Sequence, residues 1–257
     1  MLRQANRSMC LVYLRRIISS EYEELWQQLG TQESEAFCIK IIESSMHEKQ
    51  PVLRKRLADV VAEIARNTID DNTGKQTWNG VIQFLEFCMS VNSVELREFA
   101  MQLLENVPNL FGTDQDQFIP GIKQMFQGSL LYAADAGVRT AAVRAFVAFV
   151  VDNEDDDKLV HAMSELIPAV IQVCIHVVDT ESDDGVTLQS LADLATTVPK
   201  TLQSHLNDIF MLCIRTVQRQ QGRLIPAPQH EADGLHLRGH AEAHEEARRA
   251  VHSRNPQ

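Results

Sequence analysis

The sequence is short of glycine, proline and positive charge. Eleven glycines and eight prolines in 257 residues are too few for a collagen-like or low-complexity chain. No apolar run reaches the roughly 18 residues of a membrane-spanning helix, and no apolar core follows Met1 as it does in a secretory signal peptide. With 24 basic against 35 acidic residues, the net charge of −11 disfavours binding to nucleic acid phosphates and favours basic partners.

Motifs of enzymatic chemistry are missing as well. The patterns GxxxxGK(S/T), GxGxxG, GxSxG and HExxH do not occur, so we predict that the chain is not an enzyme and uses no cofactor. The five cysteines form no CxxC pair and have apolar neighbours, which indicates buried reduced thiols rather than a metal site. We therefore expect a cytosolic or nuclear protein that functions by binding.

Apolar residues recur at helical spacing along most of the chain. Leu53, Leu57 and Val60 lie on one helical face, and later segments repeat this spacing of three and four residues. No segment alternates convincingly like a strand, and no Asn-Gly or Asp-Gly turn joins two β-rich runs. The predicted fold class is therefore all-α.

The predicted helices form pairs that recur. The second helix of each pair is expected to begin near Val52, Val94, Val138 and Val186, so the starts lie 42, 44 and 48 residues apart. A period of about 40 to 47 residues is typical of HEAT and armadillo repeats. We predict a HEAT-repeat α-solenoid, a right-handed superhelix of about five helix pairs over residues 2–220, followed by a divergent, disordered tail over residues 221–257.

Several local features follow from this pattern. Pro120 and Pro168 are each expected to bend the first helix of a pair. Asp114, with Gln117 three residues later, resembles a capping box at the start of a helix. The last helix lacks an outer neighbour, so we expect four of its apolar residues to be partly exposed; these are Ile209, Phe210, Leu212 and Ile214.

A set of short segments carries a family resemblance. Residues 11–20 are an apolar segment that contains the paired arginines Arg15 and Arg16, and residues 58–70 precede Trp78. Further segments lie at 96–100, 111–112, 138–140 and 192–200. In order and spacing they resemble the importin-beta superfamily of nuclear transport receptors, the karyopherins, and its importin five branch in particular. The resemblance covers roughly residues 3–220. Receptors of this family are several times longer, so it implies an N-terminal HEAT-repeat fragment.

The resemblance implies a function in nucleocytoplasmic protein transport. The implied partners are basic cargo such as ribosomal proteins and histones, Ran in its GTP form, and Phe-Gly nucleoporins. The implied location is the cytoplasm, the nucleus and the nuclear pore, without direct binding to nucleic acid or membrane. The alternative from another class is a HEAT-repeat scaffold subunit that has no role in transport.

Two acidic segments are candidate contacts for a basic cargo or partner. We expect them to lie on the same edge of the solenoid, so that their charges add into one field. The alternative is two solvated loops whose last acids favour the N-terminus of the following helix. The first segment contains Asp152, Glu154, Asp155, Asp156 and Asp157, and the second contains Asp179, Glu181, Asp183 and Asp184.

Polar residues of the second helices are further candidates, because second helices line the concave surface of a HEAT solenoid. The alternative is ordinary solvent-facing side chains and pairs within one helix. Arg97 and Arg139 occupy equivalent places, which favours a stacked ladder with acids of neighbouring repeats. The candidates are Arg54, Glu63, Glu95, Glu98, Arg139, Arg144, Gln189 and Asp193.

Overall fold

The computed structural model of the chain describes residues 2–180 and 185–224, and within them it is helical. The only β-type pairing in this part of the chain is an isolated bridge between Ile69 and Gln76. The predicted all-α class is confirmed. The helices are α1 (Leu2–His47), α2 (Pro51–Asn67), α3 (Asn79–Ser90), α4 (Val94–Asn106), α5 (Gln115–Leu130), α6 (Ala136–Asp152), α7 (Asp157–Ser164), α8 (Ile167–Thr180), α9 (Val186–Thr197) and α10 (Leu206–Leu224), with short 3-10 turns at Gly112–Asp114 and Pro199–His205.

The chain divides into two compact units, Met1–Arg215 and Thr216–Gln257. The first unit contains the repeat array. The boundary predicted at residue 220 falls inside α10, and residues 225–257 of the predicted tail lie outside the described residues.

The array is a stack of helix pairs. The second helices α2, α4, α6 and α9 begin at Pro51, Val94, Ala136 and Val186, which are 43, 42 and 50 residues apart. Consecutive second helices pack directly on one another, and each also packs on the first helix of its own pair. The HEAT-type solenoid is confirmed, whereas its right-handed sense stays a prediction.

Helix α1 is broken at two points. Gly30 has a φ of 72°, which ends one helical segment and starts the next, as its sequence position predicts. A second break lies at Glu21, where φ is −138° and ψ is 29°. No glycine or proline at this position predicts it from the sequence. The segment before Glu21 lies along α2, where the Arg15 guanidinium approaches the Glu63 carboxylate at 3.5 Å.

The first helix of the fourth pair is split into α7 and α8, which meet at 56°. Pro168 is the second residue of α8, so the predicted bend of this first helix occurs immediately before the proline, whose missing N–H costs nothing in the first turn of α8. Pro120 does lie inside α5. No single helix in the described ranges is long and apolar enough to cross a membrane. Helices α7 and α8 together have the length and apolar composition of a membrane span, but they are bent at their junction.

The predicted capping box at Asp114 is wrong. Asp114 closes the 3-10 turn with φ −86° and ψ 6°, and its side chain caps no N–H of α5. An N-cap residue needs extended backbone to aim its side chain at the helix, and the turn prevents that. The Asp114 carboxylate instead lies 3.2 Å from Nζ of Lys75.

An arginine is the fourth residue of three successive second helices. Arg54 donates to the carbonyl oxygen of Lys49 at 2.9 Å, Arg97 to that of Met89 at 3.2 Å, and Arg139 to that of Tyr132 at 2.8 Å. The predicted equivalence of Arg97 and Arg139 is therefore confirmed. Their partners are backbone carbonyls near the end of the preceding helix, however, and the expected ladder of acids is wrong for these two residues.

Burial separates the cysteines into two groups. Cys38, Cys88 and Cys174 are buried, and burial raises the pKa of the Cys38 thiol to about 11 and that of Cys88 to about 12. Cys10 and Cys213 are exposed, so the expectation of five buried thiols is wrong at these two positions. Both lie on helices at the ends of the described array.

Two loops of adjacent repeats meet at a pair of glycines. The N–H of Thr113 donates to the Gly74 oxygen at 2.9 Å, and the Thr113 hydroxyl donates to the Thr73 oxygen at 3.1 Å. Gly112 has a φ of 56°, and a Cβ there would lie 2.2 Å from the Gly74 oxygen. Only glycine fits this position without moving the neighbouring loop.

We expect Gly112→Ala to lower the free energy of unfolding by about 1–3 kcal/mol, because it adds left-handed backbone strain and a steric clash. Gly121→Ala is the matched control, since that helical position has open space around its Cα. It should leave stability unchanged or raise it by about 0.5–1 kcal/mol. Urea denaturation of both variants measures the difference, and equal stabilities would contradict this account of the junction.

Helix α10 leaves large apolar side chains in water. Phe210 is 64% exposed, as predicted, and Ile209 and Ile214 are partly exposed. Leu212 is only 4% exposed, so the prediction for that residue is wrong. It faces the array core on the buried side of the helix.

We expect residues 206–215 of α10 to exchange their amide protons faster than any second helix of the array. Apolar side chains that remain exposed to water contribute little to the stability of their helix. A helix with few buried apolar contacts opens locally at a lower free-energy cost. Hydrogen-exchange mass spectrometry measures this, with α4 as the internal reference. Equal protection of α10 and α4 would refute the expectation.

Candidate functional site

The connections between helices form two separate rows. Connections between pairs lie at residues 68–78, 107–114 and 153–156. They adjoin one another through the Thr113–Gly74 hydrogen bond and through Nε2 of Gln115, which donates to Oδ1 of Asn153 at 2.7 Å. Connections within pairs form the other row, where the Tyr132 hydroxyl donates to Oδ1 of Asn92 at 3.3 Å.

The two predicted acidic segments belong to different rows. Asp156 immediately precedes α7, whereas Asp179 lies at the far end of α8. The two helices between them span about 30 Å at 1.5 Å per residue. Charges screened over about 8 Å do not add across that distance. The expectation of one shared field is therefore wrong for Asp179, the described acid of the second segment, because it lies at the end of a first helix whereas Asp156 lies at the start of one.

Several acids of these segments have structural partners. Oδ1 of Asp156 accepts the N–H of Lys158 at 3.0 Å and that of Leu159 at 3.1 Å, which caps α7. The predicted alternative, an acid at the N-terminus of the next helix, holds for this residue. Nη1 of Arg215 donates to Asp179 at 2.9 Å. Glu181, Asp183 and Asp184 lie outside the described residues.

The remaining acids of the first segment face water. Glu154, Asp155 and Asp157 are exposed, and no hydrogen bond or ion pair engages their carboxylates within the described part of the chain. Asp152 ends α6, where partial desolvation by its surroundings raises the pKa of its carboxyl group.

The same row contains acids that the sequence pattern did not connect with this segment. Asp71 and Asp116 are exposed, and hydrogen bonds from the Thr73 hydroxyl and N–H lower the pKa of Asp70. We name this row the acidic edge. It contains nine acids and two lysines: Asp70, Asp71, Asp114, Asp116, Asp152, Glu154, Asp155, Asp156 and Asp157, with Lys75 and Lys158.

A groove of about 700 Å³ crosses the exposed faces of α2, α4, α6 and α9 and includes four of the predicted second-helix candidates. Its charges are largely paired across helices. Nη2 of Arg54 lies 3.8 Å from the Glu98 carboxylate, and Nε of Arg144 lies 3.2 Å from that of Glu105. These ion pairs connect consecutive repeats, so the groove has little uncompensated charge. The candidates lining it are Arg54, Glu95, Glu98 and Arg144.

The other four second-helix candidates have different surroundings. The Glu63 carboxylate accepts a hydrogen bond from Arg66 at 2.9 Å and lies near Arg15. Arg139 donates to the backbone carbonyl oxygen of Tyr132. Gln189 donates to Asp193 at 2.9 Å within α9. At Gln189 and Asp193, the alternative of an intrahelical pair is the better description.

We expect Asp156→Ala to lower the free energy of unfolding by about 0.5–2 kcal/mol, because it removes the cap of α7. Asp155→Ala removes the same charge from a neighbouring exposed position and should change stability by no more than about 0.5 kcal/mol. Chemical denaturation separates the two variants. Equal losses would mean that Asp156 acts through its charge and not through its hydrogen bonds.

A family model described as IPO5-like, TPR repeats matches residues 49–212, more than half of the chain. The observed repeat spacing of 42 to 50 residues is that of HEAT repeats rather than the roughly 34 residues of tetratricopeptide repeats.

Solved structures with the same fold include Kap121p bound to Pho4p, with a TM-score of 0.66 and 19% identity over 85% of this chain and 20% of that chain. Kap121p bound to Nup53p gives a TM-score of 0.59 and 19% identity over 79% of this chain and 21% of that chain. The karyopherin Kap121p bound to the SUMO protease Ulp1p gives a TM-score of 0.59 and 18% identity over 83% of this chain and 22% of that chain.

The present chain spans about a fifth of the length of the Kap121p structures it matches. At this level of identity, the structural likeness establishes the fold. The family model covers the array from α2 to the first two turns of α10 and agrees with the resemblance read from the sequence. The chain therefore belongs to the IPO5-like family.

Proposed function

We propose that this chain takes part in nucleocytoplasmic protein transport by binding basic cargo along the acidic edge. One observation carries the proposal: exposed carboxylates are concentrated on one edge of an array from a transport-receptor family. The charge of the second-helix groove, in contrast, is already compensated by ion pairs between repeats.

The physical basis is a field summed over adjacent loops. Neighbouring helices pack at about 8–10 Å, which is close to the screening length at physiological salt. Carboxylates of neighbouring loops therefore reinforce one another, and a lysine-rich segment is steered to this edge. The hydrogen bond between Gln115 and Asn153 joins two neighbouring connections. It places Glu154 and Asp155 beside Asp114 and Asp116.

Other partners rest on the family alone. Ran in its GTP form, Phe-Gly nucleoporins, and residence in the cytoplasm, the nucleus and the nuclear pore are proposed for the receptor to which such an array belongs. The proteins bound in the Kap121p structures support a function in protein binding without catalysis. The alternative is a scaffold subunit without cargo, in which the ion pairs between second helices would only brace the array.

A fourfold neutralised variant tests the acidic edge: Asp71→Asn, Asp116→Asn, Glu154→Gln and Asp155→Asn. These four side chains are exposed, so thermal stability should remain nearly unchanged. With a fluorescein-labelled lysine-rich histone tail as the probe, we expect Kd to rise about tenfold at low salt, since each exposed ion pair contributes about 0.2–1 kcal/mol. The dependence of Kd on salt concentration should also become shallower.

The matched control neutralises four exposed acids of α1: Glu23→Gln, Glu33→Gln, Glu35→Gln and Glu43→Gln. It changes the net charge by the same amount, away from the acidic edge, and should retain most of the affinity. If both variants lose affinity equally, only net charge matters. If the first variant binds like the parent, the acidic edge is a row of solvated connections and the scaffold alternative is favoured.

A further inference from the structure

An apolar cleft of about 450 Å³ lies between α3 and α5, on the side of the array formed by first helices. Met89 of α3 forms part of its lining, and Phe118, Ile122 and Met125 of α5 lie across from it. Phe111 is only 2% exposed and supports this surface from beneath, with its ring centroid 5.1 Å from that of Phe118. Methionine side chains adapt readily to varied apolar ligands.

Two glycines keep the α5 side of the cleft open. Gly121 and Gly128 both line it, and a Cβ at Gly121 would meet nothing within 4 Å. The space beside Gly121 is therefore free for a side chain supplied by another molecule. Gly121 is exposed, so an apolar side chain placed there would remove apolar surface of the cleft from water.

Arg97 of α4 also lines the cleft, and its charge lacks an anionic partner. Its guanidinium carbon lies 4.8 Å from the centroid of the Tyr132 ring, and its Nη2 donates to the Met89 oxygen. Its Nε is buried without a hydrogen-bond partner in the described residues, and no carboxylate there lies within ion-pair distance of Arg97. The stacked ring and the single hydrogen bond hold this cation in place.

The equivalent arginines of the neighbouring repeats have different partners, and of these two only Arg54 has a carboxylate within ion-pair distance in the described part of the chain. Arg54 has the Glu98 carboxylate at 3.8 Å in addition to its carbonyl partner. Arg139 donates to two carbonyl oxygens, those of Tyr132 and Asp135. The arginine donates to a backbone carbonyl in all three repeats, and the pairing of Arg54 with Glu98 shows that such an arginine can also have a counter-charge. Arg97 combines the lack of a counter-charge among the described residues with a position at an apolar cleft.

We propose that this cleft binds a protein segment in which a large apolar side chain is followed by an aspartate or glutamate. The apolar side chain lies beside Gly121 against Phe118 and Met125, and the carboxylate pairs with donors of Arg97. A planar guanidinium fork matches a carboxylate, and partial burial strengthens the pair. One cation, with Glu86 also lining the cleft, suits a single negative charge better than a phosphate.

This site is independent of the proposed function. The acidic edge selects basic segments and consists of connections between pairs, whereas the cleft selects an acidic segment and consists mainly of first helices. Either proposal can fail without the other.

Two labelled peptides test the cleft on the full chain, Ser-Gly-Leu-Phe-Asp-Gly-Ser and the same peptide with Asn in place of Asp. Fluorescence polarisation should show that the Asp peptide binds about tenfold more tightly, since a hydrogen bond to a charged partner is worth roughly that factor. The difference should shrink as salt rises. This comparison needs no protein variant, so it does not depend on whether a variant folds.

Three variants locate the binding. Arg97→Gln should abolish the difference between the peptides, whereas the charge-matched control Lys55→Gln, at an exposed position of α2, should preserve it. Gly121→Leu should fill the cleft and weaken the binding of both peptides. Equal binding of the two peptides, a difference that survives Arg97→Gln, or no binding of either peptide would overturn the proposal. Equal, Arg97-independent binding of a Phe-Gly peptide would assign the cleft to uncharged apolar segments instead.

Discussion

Direct packing of one second helix on the next is the contact on which the rest of the structure depends. Helix α4 lies between α2 and α6, and α6 lies between α4 and α9, so each of these helices must be apolar on more than one face. Small residues such as Ala142 and Ala145 allow close approach along α6. Phe146 and Phe149 of the same helix contact Phe126 of α5, with ring centroids 5.6 and 5.7 Å apart.

This stacking also determines where polar groups gather. Because each pair returns the chain to its starting side, all connections between pairs fall in one row and all connections within pairs in the other. Loops that are neighbours in space are therefore about 40 residues apart in sequence, as Thr113 and Gly74 are. The acidic edge arises in this way from three connections whose individual charges are unremarkable except at Asp152–Asp157.

What the sequence predicts well is whatever depends on spacing within one helix. Apolar residues at intervals of three and four identify the helices, and their recurrence identifies the repeat, so the second helices begin within two residues of the predicted positions. Features that depend on tertiary neighbours are missed. The break at Glu21 has no local cause in the sequence, and Leu212 is buried because it faces the array rather than because of its position in α10. The row to which Asp179 belongs depends on whether the adjoining connection joins two pairs or the two helices of one pair. The sequence distance between Asp156 and Asp179 does not reveal which of these it is.

A repeat protein offers its own internal controls, because equivalent positions share a backbone role while their surroundings vary. Arg54, Arg97 and Arg139 each anchor the end of the preceding helix, so that anchor explains the arginine in all three repeats. In the fourth pair the equivalent residue is Gln189, which bonds to Asp193 within its own helix. A second helix can thus begin without the arginine anchor. The counter-charge of Arg54 belongs to the next repeat, whereas Nε of Arg97 has no hydrogen-bond partner among the described residues, so the three arginines differ in their surroundings although they share one backbone role.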